Sequence, residues 1–491
     1  MTVSVSGEEV PLVPIPRLFA QHAAERPGAP ALTFEGTTLT WRELDARSNR
    51  LARALAREGV KEGDFLTIAL PNGIGFMEAT IAAWKLGAVP QPVSARMPEA
   101  EIAAIVELAN PPLVLFDGDL VLPRPVHRYE DLLESERDDG PLPEKVSPSW
   151  KAPTSGGSTG RPKLIVAGQE GVFEPVWAEL WRLNADDTCL MPGPMYHNGP
   201  FITAFVALMV GAHVVLMPRF DAERTLALLA ETRATWVYMV PTMMHRIWSL
   251  PEALKDAHDI SALRTLWHLA APCPRWLKEK WIDWLGADAI WELYGGTEGQ
   301  AATIISGSEW LERPGSVGKP AIGEMCVQDE AGNMLAAGEI GEIFMRREPG
   351  APATYRYIGA EITARGDWET IGDFGWIDEE GYVFLADRRS DLILVGGANV
   401  YPAEVEAAID AFPGVQSSAV IGLPDDDLGA RVHAIVQPRG PLDEGALEAH
   451  LESRLARYKR PRSFEYVSEP LRDDAGKVRR SQLRTERLPA G

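Results

Sequence analysis

The spacing of apolar residues changes along the chain, and each change marks an element. In "WRELDARSNRLARALAREG" (41–59) Leu44, Leu51 and Leu55 recur at helical intervals, and Gly59 suits a helix stop. "FLTIAL" (65–70) is a short apolar run and reads as a buried strand. "GFMEATIAAWKLGA" (75–88) reads as a helix and "PLVLF" (112–116) as a strand. Further on, "HVVLM", "ATWVYMV", "LRTLWHLA" and "AIWELYG" are apolar runs separated by helical stretches such as "DAERTLALLAETR". Strands alternating with helices predict parallel sheets covered on both faces, an α/β fold.

Toward residue 390 the pattern becomes irregular and then restarts. "EIGEIFMRR" and "GYVFLADRR" read as strands of a β region. Beyond "RRSDLILVGGANVYP", the segments "AEVEAAIDAF" and "EGALEAHLESRLARY" read as helices, and "QSSAVIGLP" and "ARVHAIVQP" as strands. About 100 residues of mixed pattern suffice for a small domain. The expected boundary lies at Ser390–Asp391, giving domains 1–389 and 390–491. The polar, proline-rich run "ESERDDGPLPEKVSPSWKAP" reads as a connection. No internal repeat or low-complexity segment interrupts the chain.

Composition narrows the function. At 491 residues the chain exceeds what one core usually supports. The formal charge of −22 repels nucleic acid and anionic membrane, so neither is an expected partner. The three cysteines, Cys189, Cys273 and Cys326, are far apart and lack C-x-x-C spacing, which argues against a disulfide framework and a zinc site. The N-terminal stretch lacks the basic and apolar regions of a signal peptide, and no run is long enough to span a membrane. The expected location is the cytoplasm.

The chemistry starts at "PTSGGSTGRPKLIV" (153–166). Glycines and hydroxyls let a backbone wrap phosphate oxygens. In the usual nucleotide loop a lysine follows the last glycine directly and a hydroxyl residue follows the lysine. Here Arg161 and Pro162 separate Gly160 from Lys163, and Leu164 comes next. Alone, such a loop reads as a plain turn sooner than as a phosphate cradle. Three other segments accompany it in order: "ELYGGTEGQ" (292–300), "TIGDFGWIDEEGYVFLADRRSDLILVGGANVYP" (370–402) and "DDAGKVRRSQL" (473–483).

Together these four segments resemble the adenylate-forming superfamily of acyl- and aryl-CoA ligases, luciferases and adenylation domains. The resemblance runs from about Ala20 to Arg484. It implies a large N-terminal region of two α/β subdomains plus a β-barrel-like subdomain, followed by a small mobile α+β C-terminal domain. It also implies an ATP- and Mg²⁺-dependent reaction. A carboxylate attacks the α-phosphate of ATP, pyrophosphate leaves, and the acyl-adenylate passes its acyl group to an acceptor, commonly the thiol of coenzyme A.

By the same resemblance, Thr154, Ser155, Gly156, Gly157, Ser158, Thr159, Gly160 and Lys163 hold the departing phosphates, and Thr297 bonds the α-phosphate. Glu298 is the Mg²⁺ ligand. Asp373 takes the ribose hydroxyls and Arg388 reaches the same side. Tyr294, beside Gly295, stacks on adenine against a wall at Ala271, where alanines replace the family's glycines. Lys477 bridges the attacking carboxylate and the α-phosphate. Asp391 stands at the hinge, and "VGGANVYP" faces the second half-reaction. The residues alone leave blander readings open: a helix-start carboxylate for Glu298, an Asx-turn for Asp373, a buried strand-end tyrosine for Tyr294 and a surface lysine for Lys477.

"MPGPMYHNGPF" (191–201) falls where the family places the mouth of its acid pocket. It offers Tyr196, Phe201 and His197, the last either a gate or a structural histidine. "WVYMVPTMMHRIW" adds Trp236, Tyr238 and Met239; some of these are ordinary core by their spacing, and those facing the cleft form an apolar wall, with methionines able to fit irregular shapes. No lysine or arginine in these stretches pairs a second carboxylate, so a hydrophobic monocarboxylic acid, aryl or cyclic, is expected. The acceptor is CoA or, alternatively, an amine. A non-catalytic nucleotide sensor is a third reading, opposed by the joint presence of Glu298, Asp373 and Lys477. The expected assembly is a monomer or homodimer.

Overall fold

The computed structural model describes residues 2–5, 8–156, 162–388, 391–395, 398–425, 428–473 and 476–488. The helix expected from "WRELDARSNRLARALAREG" spans Trp41–Arg57. Thr40 and Glu43 close a capping box at its start, and Leu44, Leu51 and Leu55 are fully buried. The other N-terminal elements appear where the pattern put them: strands Phe65–Ala69 and Val114–Phe116, and the helix Ile74–Lys85.

Two parallel sheets build the N-terminal region. The smaller runs Val89–Pro92, Phe65–Ala69, Val114–Phe116, Val126–His127. The larger carries a parallel stretch in the order Pro30–Phe34, His213–Leu216, Thr188–Met191, Trp236–Met239, Thr265–His268, Ile290–Gly295. It then turns antiparallel through Ala302–Ser306, Ser316–Ile322, Val383–Arg388 and Asp373–Ile377. The expected irregular β region is therefore joined edge to edge with the parallel strands. One apolar cluster, rich in tryptophan and phenylalanine, lies between the sheets and their helices.

After Asp391 a separate core forms around Val400, Val405, Ile409, Val420, Val436 and Leu447. Helix Pro402–Asp410 covers the antiparallel pair Val415–Asp425 and Gly429–Pro438, and Ser463–Tyr466 adds a parallel strand. Ser390 lies outside the described residues.

Two expectations change. The helix anticipated over "EGALEAHLESRLARY" ends at Glu452; only Arg457–Lys459 resumes a short helical turn. Leu447, Leu451 and Leu455 are the positions that reach the core, and Leu455 does so from a turn rather than a helix. The proline-rich connection is not a solvent linker at its far end, because Trp150, Lys151 and Ala152 are buried.

Candidate active site

Parallel register brings the C-terminal ends of neighbouring strands to one edge, where open α/β sheets bind ligands. Thr188–Met191 leads there into Pro192–His197, Trp236–Met239 into Val240–Thr242, Thr265–His268 into Leu269–Cys273, and Ile290–Gly295 into Gly296–Glu298. Four stretches flagged in the sequence thus meet on one rim.

The phosphate-loop candidate is a hairpin. Thr154–Gly156 pairs with Pro162–Ala167, Ser155 opposite Lys163, and the second arm pairs with Tyr355–Ile358. Gly157, Ser158, Thr159 and Gly160, at its tip, lie outside the described residues. Alternation along these strands divides their faces. Leu164 and Val166 enter the core. Lys163 and Tyr357 turn the other way and meet Glu298. The Tyr357 hydroxyl donates to Glu298 Oε1 at 2.6 Å, Lys163 Nζ stands 3.5 Å from the same oxygen, and that ammonium lies 3.8 Å from the Tyr357 ring centroid. Burial, then the Glu298 charge, push the Tyr357 phenol well above its ordinary pKa. Thr297 sits in the turn between Gly296 and Glu298.

Asp373 is buried and lies directly across an antiparallel pair from Arg388, whose side chain is outside the described residues. Tyr294, one residue before Gly295 in the last parallel strand, donates its hydroxyl hydrogen to Asp373 Oδ2 at 2.9 Å. The wall at Ala271 holds a strained neighbour: Ala270 has φ 76°, in the left-handed region that favours glycine.

His197 precedes the helix Asn198–Val210 and rests on Tyr196, ring centroids 4.3 Å apart. Its buried Nε2 has no hydrogen-bond partner among the described residues. Burial first, then the charges of Lys477 and Arg479, lower its pKa to about 3, so the imidazole is neutral. Lys477 belongs to a tight turn in which its N–H donates to Asp473 Oδ1 at 2.9 Å. Its neighbour Gly476 is buried. A Cβ there would lie 3.0 Å from Thr242 Oγ1 and 3.3 Å from Val240 Cγ2. The lysine turn is thereby seated on the rim.

This arrangement brings the hairpin and Glu298 together with Asp373, Tyr294 and the turn that carries Lys477. The sequence pattern described as AMP-binding enzyme matches residues 19–355, and that described as AMP-binding enzyme C-terminal domain matches 404–477. The chain belongs to the AMP-binding enzyme family. Feruloyl-CoA synthase of an Amycolatopsis species is 31% identical, over 94% of this chain and 97% of that one. o-Succinylbenzoate CoA synthetase of Bacillus subtilis, in complex with its acyl-adenylate, has 26% identity and a TM-score of 0.82, covering 96% of this chain and 98% of that one. An amide bond synthetase from Marinactinospora thermotolerans, at 23% identity and a TM-score of 0.80 over 97% and 99% of the two chains, shares the fold.

The Mg²⁺ expected from the sequence is a hard cation that takes oxygen ligands. Among the described residues no group of three or more His, Cys, Asp or Glu side chains is placed to hold a metal. One buried carboxylate, Glu298, fits Mg²⁺ completed by substrate phosphates, the usual arrangement for that ion.

Some expected pocket residues lie elsewhere. Phe201 is fully buried among the rings of Phe76, Trp84, Trp150 and Phe205. Trp236 is fully buried and donates from its indole to the Trp181 carbonyl at 2.8 Å. Both are core residues, because each ring is enclosed by neighbouring elements. Met239 is equally buried, whereas Tyr238 reaches the start of the Asn198–Val210 helix: a Cβ on Gly199 would lie 2.5 Å from its hydroxyl. Asp391 accepts from Arg480 Nη1 at 2.7 Å. Sequence reasoning missed Tyr357, signalled only by the alternation Tyr355-x-Tyr357, and Lys151, hidden in the supposed linker.

Proposed function

We propose that this protein is an AMP-forming acid–thiol ligase. It activates a hydrophobic carboxylic acid with ATP, releases pyrophosphate, and transfers the acyl group to coenzyme A. The observation that carries the reading is the seat of Gly476 on Val240 and Thr242, which brings Lys477 near enough to His197 for its charge to depress the imidazole. The two reactants are both anions, and an ammonium between them offsets their repulsion. Lys163, beside Glu298, faces the phosphates that leave. Thr154 to Gly160 wrap those phosphates, Thr297 bonds the α-phosphate, and Asp373, Arg388, Tyr294, Gly295 and Ala271 hold the nucleoside.

Mg²⁺, held by Glu298, supplies positive charge to the triphosphate. The Bacillus subtilis relative, solved with ATP and a magnesium ion, supports that requirement. Residues 1–389 and 390–491 are the two domains, and rotation at Asp391 exchanges the lysine face for the "VGGANVYP" face. Gly396 and Gly397 of that face lie outside the described residues. Among the described residues no helix is long and apolar enough to cross a membrane; we place the enzyme in the cytoplasm, as a monomer or homodimer.

Pyrophosphate release with ATP, Mg²⁺ and a panel of benzoate, cinnamate, ferulate and dodecanoate tests the first half-reaction. Release must depend on the acid and fall by about 10²-fold or more in Lys477→Ala while ATP still binds. Acid-independent release, or none with any acid, overturns the reading. Supplying CoA or an amine with an accepted acid and weighing the product decides the acceptor. The shared fold of the amide bond synthetase makes the amine the second reading.

A further inference from the structure

Four lysines are buried among the described residues: Lys85, Lys151, Lys255 and Lys278. Three have a carboxylate within ion-pair distance. Lys85 meets Asp45 at 2.6 Å, with Ser48 and Asn49 as further acceptors; Lys255 meets Glu252 at 3.0 Å; Lys278 meets Glu292. Lys151 differs. Among the described residues its one hydrogen-bond acceptor is the neutral side-chain oxygen of Asn198. The Trp150 ring, 5.0 Å away, adds a weak cation–π contact. Burial lowers the ammonium's pKa to about 7, while the more distant Glu298 charge pulls the other way. A buried ammonium has three donors to satisfy, and leaving two unmet is costly.

The hairpin register extends back from Ser155 opposite Lys163, since Ile165 N donates to the Pro153 carbonyl and Ala167 N to the Lys151 carbonyl. Lys151 therefore shares the face of Ser155, Lys163, Tyr355 and Tyr357. At ~3.3 Å per residue, four residues place its root roughly 13 Å from that of Lys163, away from the hairpin tip. Its partner Asn198 opens a 13-residue helix directly after His197, and that helix has no acidic residue in its first turn. A cation at the positive end of a helix dipole is repelled unless an anion joins it. Glu298 is the one charge that acts on Lys151 among the described residues, and no carboxylate there lies within ion-pair distance of it.

We propose that Lys151 receives the carboxylate of the acid substrate before attack on the α-phosphate, forming with Lys163 and Lys477 a line of three cations that divide the leaving phosphates, the reacting centre and the incoming acid. This rests on the ligase reading above.

The test uses the full chain with Lys151→Met and Lys151→Gln. In the absence of substrate, Lys151→Met melts at a higher temperature than the parent, because it removes a buried charge that no protein group neutralises. A lower melting temperature for both variants marks a structural lysine and overturns the proposal without reference to any substrate. In the pyrophosphate assay, KM for the accepted acid of the panel rises about 10-fold or more in both variants, with KM for ATP unchanged. An equal rise for ATP assigns the ammonium to the phosphates, and an unchanged acid KM in Lys151→Gln shows that the charge is not used; either result refutes the assignment. Should no acid of the panel support release in the parent protein, the ligase reading falls, while the melting comparison still decides whether Lys151 is kept for a ligand or for the fold.

Discussion

Arg480 donates to Asp391 at 2.7 Å, three residues beyond Lys477. The same guanidinium reaches Glu406 at 2.8 Å, so Asp391, the helix Pro402–Asp410 and the lysine-bearing segment are joined in one polar network. Asp391 and Arg480 are both largely withdrawn from solvent, at 17% and 16% side-chain exposure, which raises the worth of the pair above that of a surface ion pair. On our proposal of a pivot at Asp391, this network ties the pivot to the lysine-bearing segment. Asp391→Pro, by fixing φ, is expected to spare pyrophosphate release and slow acyl transfer. Asp391→Asn should instead cost ~1–3 kcal/mol of stability, read by thermal or urea unfolding. Equal losses in both half-reactions for the proline variant would argue against a pivot at this residue.

Glu298 and Tyr357 act as a pair. Tyr357→Phe removes the 2.6 Å hydrogen bond that aims the carboxylate. The expected outcome is a ~10-fold higher Mg²⁺ concentration for half-maximal pyrophosphate release, because supporting hydrogen bonds typically contribute 10–100-fold to metal affinity. Glu298→Gln should raise it further. Identical Mg²⁺ dependence in Tyr357→Phe and the parent would remove Tyr357 from this role.

Ala270 carries a left-handed backbone that costs an alanine ~1–2 kcal/mol relative to a conformation it favours. Ala270→Gly relieves that strain but gives the unfolded chain more freedom, so the net gain should be about 1 kcal/mol or less. Differential scanning calorimetry is expected to show a raised melting temperature, and a lowered one would contradict the assignment.

Trp236→Phe separates core from pocket. Losing the indole and its bond to the Trp181 carbonyl should destabilise the protein by ~1–3 kcal/mol. The order of preference among accepted acids should stay the same. A changed order with unchanged stability would return Trp236 to the pocket wall.

His245 accepts from Arg439 Nη2 at 2.8 Å, one contact between the small domain and the rim helix Pro241–Trp248. Burial, then Arg439, lower the pKa of His245 to about 4. The folded value lies below the unfolded one of ~6.5, so the unfolded chain binds the proton first as pH falls. The neutral ring's contribution to stability is complete above ~6.5 and is lost as pH drops from there through about 4. His245→Gln should flatten that part of the stability–pH curve, and an unchanged curve would show that the ring is not buried in solution.

Much of the molecule was readable in the chain. Strands such as Trp236–Met239 and helices such as Trp41–Arg57 declare themselves, because burial of one face imposes a period on nearby residues. The helix after Asp443 was overextended because its leucines keep helical spacing past Ser453, although the chain turns there. Thr154, Glu298, Asp373 and Lys477 stood out only through the resemblance of four ordered segments to the adenylate-forming superfamily; each residue alone reads equally well as a turn, cap or surface residue.

The sequence by itself determined the alternating α/β elements, the separate C-terminal core and the order of the adenylating motifs, since each depends on residues close together along the chain. Only the tertiary structure decided that Tyr357 holds Glu298, that Lys151 is a buried lysine with no carboxylate at ion-pair distance among the described residues, and that Trp236 and Phe201 belong to the core. Those facts concern which side of a strand meets which distant neighbour. Burial of a charge or a ring is a property of everything packed around it, and no local run of residues encodes that enclosure.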